Sequence, residues 1–242
     1  MSKKKLWEYG GIIAGVILVA FGIGALVMGV AGRGEVRDSL KQEYIVGGED
    51  MSPAGISEGI AQIKASQQKI AAAQAKAGIP AADRFTFTEV SAPDCEVAGK
   101  AVNTGDTARC FAKYMRIHAL EGSSGLVYSQ MGRFTAKPGT PAKFTDFAGG
   151  TSDPAYAITD PKTQQPVANG ARNTWVTETA LTTALNTSFF AERVALFSLI
   201  VGVALVLAGI GFLVIVLLGA LRKTEATETG KPKGFKVPQH VG

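Results

Sequence analysis

Two long stretches of this chain carry no charged side chain at all: Gly10 to Gly32 and Val194 to Leu221. As helices rising about 1.5 Å per residue they would span ~34 Å and ~42 Å, against a bilayer hydrocarbon core of ~30 Å. Both can cross a membrane, and the second has length left over to tilt or protrude. A buried helix of a soluble domain rarely stays apolar around its whole circumference for so long. A cleavable signal peptide is the rival reading of the first stretch, since Lys3, Lys4 and Lys5 precede it and Gly29-Val30-Ala31 resembles a cleavage site. Signal peptides, however, have apolar regions of only about 7–15 residues. We therefore expect two membrane helices.

Charge sets the orientation. The 242-residue chain has a formal net charge of +5. The segment before Gly10 has net charge +2, and the segment after Leu221 has +3. Between Arg33 and Arg193 there are 17 basic and 17 acidic residues. Cationic flanks stay in the cytoplasm, so residues 1–9 and 222–242 are expected as cytoplasmic tails and residues 33–193 as an extracytoplasmic domain. Residues 10–32 and 194–221 are the spans, placing the protein in the plasma membrane. Trp7 and Tyr9 would sit at the inner headgroup level, with Phe189 and Phe190 at the outer one. The basic tails suit anionic lipid. The neutral middle segment excludes a nucleic-acid footprint.

The two cysteines, Cys95 and Cys110, both fall in the middle segment. An oxidising compartment lets them form a disulfide, and closing a loop of about 15 residues stabilises by ~3 kcal/mol in the chain-entropy model. Two free thiols are the alternative. The C-x-x-C spacing of a redox pair is absent.

Within the middle segment, Glu35 to Tyr44 reads as a helical continuation of the first span, broken by Gly47-Gly48. Ser52-Pro53 is expected to open a second helix with Ile56, Ile60, Ile63 and Ile70 on one face, ending at Gly78 and Pro80. Phe85 to Val90 alternates and predicts a short strand. Asp106 to Glu121 predicts a helix with Ala108, Phe111, Met115 and Ala119 inward, closed by Gly122. Leu126 to Phe134 is open between strand and helix. Ala136 to Gly170 is rich in Pro, Gly, Thr and Asp and reads as a long loop that covers the domain or binds something. From Asn173 to about Lys223 no breaker intervenes, which predicts one continuous helix of about 50 residues, ~75 Å long.

Small residues recur every seventh position in both apolar stretches: Gly15, Gly22 and Gly29 in the first, Ala195, Gly202 and Gly209 in the second. A seven-residue period keeps one face aligned, and glycine lets backbones approach closely. Antiparallel packing of the two helices is the simple expectation, and homo-oligomerisation through one stripe the alternative. The fold class is thus mainly α: a two-helix transmembrane hairpin bearing a mostly helical outer domain with minor β structure and long loops.

Chemistry is sparse. No ionisable residue lies in either apolar stretch, which argues against an ion-coupled transporter acting alone. The two histidines, His118 and His240, fall in different segments, so a multi-histidine metal site is not expected. His118 reads as a structural or surface residue. No nucleophile-elbow, zincin or phosphate-loop motif occurs. The glycosylation pattern Asn186-Thr187-Ser188 lies close to the expected membrane border and is discounted. No catalytic, cofactor-binding or metal-binding residue is assigned.

The stretch Asp160 to Asn186, with Asn169-Gly170-Ala171-Arg172-Asn173-Thr174-Trp175-Val176 at its centre, resembles a family of uncharacterised two-span membrane proteins of actinobacteria. The opening Trp7-Glu8-Tyr9-Gly10-Gly11-Ile12-Ile13 and the region Glu43 to Asp50 resemble it too. Members are sometimes labelled aromatic ring-opening dioxygenases, so the resemblance implies an enzyme or accessory subunit of that type. Extradiol ring opening uses iron held by two histidines and a carboxylate, and the middle segment contains His118 alone. The residues themselves point first to a non-enzymatic envelope protein whose outer domain binds a protein partner, forms a homo-oligomer or supports a membrane complex. A two-span ligand-binding sensor acting through a partner is the second expectation.

Overall fold

A computed structural model describes residues 3–228 of the chain, with side chains for residues 9–219. The tail charges, Trp7 and His240 lie outside the residues whose side chains are described. The protein is mostly helical: α1 (Lys3–Gln42), α2 (Ser57–Lys76), α3 (Gly105–Gly122) and α4 (Gly170–Glu228). It divides into two compact units, one formed by the residues up to Arg33 together with those from Val194 onward, the other by Gly34–Arg193.

The first unit contains the apolar parts of α1 and α4, both long and apolar enough to cross a membrane. A methyl group built on Gly15 would lie 3.0 Å from the Gly209 carbonyl oxygen, one on Gly22 2.8 Å from that of Gly202, and one on Gly29 2.9 Å from that of Ala195. Each is too close for a real side chain, so the two backbones touch where glycine leaves room. Gly10 and Gly24 have open space at the same position. The remaining faces expose large apolar side chains, among them Phe21, Met28, Phe197 and Ile215.

The second unit is built around α2 and α3. The isoleucine face of α2 is buried as its spacing predicts, at Ile60, Ile63 and Ile70. Its N-terminus differs in detail. Residues Ser52–Ile56 form a turn in which the Gly55 amide donates to Ser52 Oγ (3.0 Å), and the helix proper begins at Ser57. The turn mixes two spacings, the Ile56 amide donating four residues back to Ser52 O and the Ser57 amide three back to Ala54 O. At the other end Gly78 (φ +75°) reverses the chain. The Gly78 amide donates to Ala75 O and the Ile79 amide to Gln74 O, the paired bonds that glycine permits at a helix C-terminus.

α3 starts from a reciprocal cap between Thr104 and Thr107. It buries Ala108, Phe111 and Ala119 as expected, with Tyr114, Ile117 and Leu120 beside them. The chain leaves α3 through Ser124 and Gly125, both with positive φ. Trp175 of α4 packs into this core and donates its indole N–H to Leu126 O at 2.9 Å and Ser123 Oγ at 3.1 Å. Seated so, α4 continues without a break from Gly170, three residues before the start read from sequence.

Phe85–Val90 corrects the sequence reading, for it is not a strand. Phe87 and Val90 do turn inward while Thr86 and Thr88 face out. Two of its backbone groups are met by side chains instead: Phe85 N–H donates to Gln74 Oε1 and Thr86 O accepts from Gln130 Nε2. Alternation reports half-burial, and a ladder additionally needs a partner strand. The β structure sits elsewhere, in β1 (Phe134–Thr135) antiparallel to β2 (Gly150–Thr151). Leu126–Phe134 holds a short 3-10 turn at Tyr128–Gln130 and leads into β1. Bridges Phe134 to Ala168, Ala136 to Ala157 and Thr159 to Pro166 tie the long loop into a compact layer.

Candidate functional site

Cys95 and Cys110 lie at disulfide distance, with Cα atoms 6.0 Å apart, and pin the loop before α3 to its second turn. His118 stands between two carboxylates. Its Nε2 is 3.4 Å from Asp50 Oδ2, and its Nδ1 is 3.4 Å from Glu121 Oε2. The carboxylates face opposite ring nitrogens, so the three do not converge on one point. Among the described residues no three His, Cys, Asp or Glu side chains are grouped to hold a metal ion.

The long loop forms one wall of a cleft of about 570 Å³ lined by Met131, Lys143, Phe144, Asp146, Thr151 and Asp153. The Phe144 and Tyr156 rings stack 4.5 Å apart, and the Lys143 ammonium lies 4.7 Å over Phe144. Asp146 is buried, and its carboxylate accepts three backbone amides. Oδ1 accepts from Ala148 N and Gly150 N, both at 2.8 Å, and Oδ2 accepts from Gly132 N at 3.0 Å. Asn169 adds a bond from Nδ2 to Gly132 O at 2.9 Å. Asp146 thus shapes the cleft.

A second feature lies on α4. From Asn173 to Ala191 the helix carries one charged side chain, Glu178, and that one is buried. On its exposed side Val176, Thr179, Ala180 and Thr183 line, with Tyr128, an open depression of about 590 Å³. Val176 is 54% exposed and Tyr128 45%. The Arg172 guanidinium caps this face, 4.0 Å from the Tyr128 ring centre.

Glu178 itself points inward. Burial pushes its carboxyl above the usual glutamate range, opposed by the Arg116 guanidinium and by the Thr182 and Thr179 hydroxyls. Arg116 also lies 5.2 Å over the Trp175 ring. The sign of the linkage follows: between the unfolded and the raised folded value the unfolded chain has lost a proton that the folded chain keeps, so stability falls as pH rises through that window. Glu178→Gln is expected to raise the urea midpoint near neutral pH. That gain should shrink to nothing well below the usual glutamate value. An unchanged midpoint at neutral pH would show that Arg116 fully compensates the buried charge.

Sequence reasoning missed Asp146, Glu178 and Glu192, the buried carboxylates. Their only signal was the isolation of Glu178 in an uncharged run. No protein-family model, no curated protein and no solved structure matches this chain.

Proposed function

We propose that the chain is a two-span plasma-membrane protein with both termini in the cytoplasm, and that its extracytoplasmic domain docks a protein partner and catalyses no reaction. The membrane part is supported by the two apolar helices and by the cationic segments flanking them in the sequence. The approach of Gly15, Gly22 and Gly29 to Gly209, Gly202 and Ala195 fits an antiparallel transmembrane hairpin.

The observation that carries the docking role is the uncharged outward face of α4. A helix facing only water ordinarily carries Lys and Glu there. The Val, Thr and Ala positions of this face can be covered without stripping water from an ion, with Arg172 at the edge against Tyr128, which is the composition of an interface centre with a charged rim. Photo-cross-linkers placed at Val176, Ala180 and Thr183 in native membranes should yield one adduct of defined mass, to another protein or to a second copy. The exposed Lys64 of α2 should yield none, and Thr183→Glu should suppress the adduct. Equal or absent labelling at both helices would sink the proposal.

The cleft beside Phe144 favours a second reading, a sensor that binds a small ligand and signals through the same partner. A ligand seated there would raise the thermal midpoint by mass action. A ring-opening dioxygenase would need further metal ligands around His118, the sole histidine among the described residues.

A further inference from the structure

Arg193 is the last charged residue before the uncharged stretch Val194–Leu221. It does not stand alone. With Arg109 and Lys113 of α3 and Phe189 of α4 it lines a depression of about 350 Å³ beside the Cys95–Cys110 pair. Arg109 and Lys113 are one helical turn apart, as are Phe189 and Arg193, so two helix faces converge on the depression. Both guanidinium groups rest on the same ring, Arg109 at 4.5 Å and Arg193 at 4.9 Å from the Phe189 centroid.

Two carboxylates balance part of this charge. Lys113 Nζ lies 2.5 Å from Asp94 Oδ1, and Arg193 pairs with Asp106. The Asp94 and Asp106 side chains are 86% and 70% exposed, against 39% and 49% for Lys113 and Arg193, so the anions sit on the water side and the cations further in. No carboxylate lies within ion-pair distance of Arg109 among the described residues. Three cations and two carboxylates leave the depression one negative charge short.

We propose that this depression docks the phosphodiester headgroup of an anionic phospholipid in the leaflet facing the outer domain. The inference rests on the reading that Val194 begins a membrane span, which places Arg193 at headgroup depth. A phosphodiester carries the single missing charge. Its two free oxygens match the planar fork of a guanidinium. The Phe189 ring and the exposed Phe190 offer the apolar and aromatic surface that suits the boundary between headgroup and acyl chain. A bound phosphate would also relieve the repulsion between two guanidiniums sharing one ring.

The test uses the full chain in nanodiscs of phosphatidylcholine with increasing phosphatidylglycerol, and counts retained lipid by native mass spectrometry. Phosphatidylglycerol should be retained over phosphatidylcholine, and each cation removed should cut that preference about fivefold, the effect of about 1 kcal/mol per surface cation. Arg109→Gln and Arg193→Gln should both do so, while Arg109→Lys should keep part of the preference. Soluble glycerol phosphate and inorganic phosphate, added to the chain in phosphatidylcholine alone, should not raise its thermal midpoint. Unaltered lipid preference in the Arg109→Gln/Arg193→Gln double variant would overturn the proposal, and so would full stabilisation by inorganic phosphate. A chain that enters nanodiscs yet shows no lipid preference rejects this site only. A chain extracted from membranes by alkaline carbonate rejects the spanning reading beneath it.

Discussion

Glu192→Ala is expected to destabilise the Gly34–Arg193 unit by about 1–3 kcal/mol, chiefly the cost of leaving the buried Gly105 amide without an acceptor, since the Arg37 side chain is 35% exposed and can return to water. Glu192 is 8% exposed and joins three helices. Its Oε1 accepts from Arg37 of α1, with Nη2 at 2.7 Å and Nε at 2.8 Å. Its Oε2 accepts from the Gly105 amide, the first residue of α3, at 2.6 Å. The substitution therefore leaves the Gly105 amide without its acceptor, at the positive end of a helix dipole, and returns the partly exposed Arg37 guanidinium to water. Gly105 closes the joint, because a methyl there would lie 2.8 Å from the Phe189 Cα. Urea unfolding of the detergent-solubilised chain, followed by Trp175 fluorescence, reads the loss. Glu192→Gln keeps an acceptor for Gly105 without the charge and should fall between wild type and alanine. A cost below about 1 kcal/mol for the alanine variant would place this pair among ordinary surface ion pairs.

Asp146→Ala should have an effect of similar size but a different reach. Three backbone amides lose their acceptor, those of Gly132 and Gly150 in buried positions and that of the exposed Ala148, and each unsatisfied buried donor costs about 1–3 kcal/mol. These bonds tie the loop at Gly132 to the β2 segment, so the loss should appear as opening of the long loop and not as unfolding of α2 and α3. Hydrogen exchange at the Gly132 and Gly150 amides should accelerate strongly, and trypsin should cut after Lys143 under conditions where the wild type resists. The amides of Ile60 and Ile117, on α2 and α3, should stay protected. Uniform acceleration across the unit would mean that the loop is integral to the core.

What could be read beforehand follows from the range of the interactions involved. Helical spacing, caps and breakers act over one or two turns. The α2 isoleucine face, the glycine turn at Gly78, the inward face of α3 and the uninterrupted α4 were accordingly legible. Gly47-Gly48 was read as the end of α1, yet the helix already ends at Gln42 and turns through Tyr44 (φ +51°). Gly47 serves another purpose: a methyl on it would lie 2.0 Å from the Val97 carbonyl oxygen, where the loop after α1 pairs with the loop before α3. That demand for space comes from a segment about 50 residues away, and no local pattern announces it.

The same distinction separates the site residues. Cys95 and Cys110 were legible because composition offers only one pairing. Asp146, Glu178 and Glu192 looked like any solvated carboxylates, since burial of a polar side chain is decided by whichever donors the fold brings to it. Phe85–Val90 had the alternation of a strand but has no partner strand among the described residues, and Gln74 and Gln130 take up two of its backbone groups.

Hydrophobicity and backbone propensity belong to residues and their near neighbours, so the two uncharged stretches of membrane-crossing length, the neutral segment between them and the helical faces were set locally. That Glu192 joins α1, α3 and α4, that Asp146 ties the cleft loop, and that α4 buries Glu178 behind an uncharged outer side came only with the folded arrangement. Those outcomes depend on groups distant in the chain meeting at hydrogen-bond range, where desolvation makes each partner's position decisive.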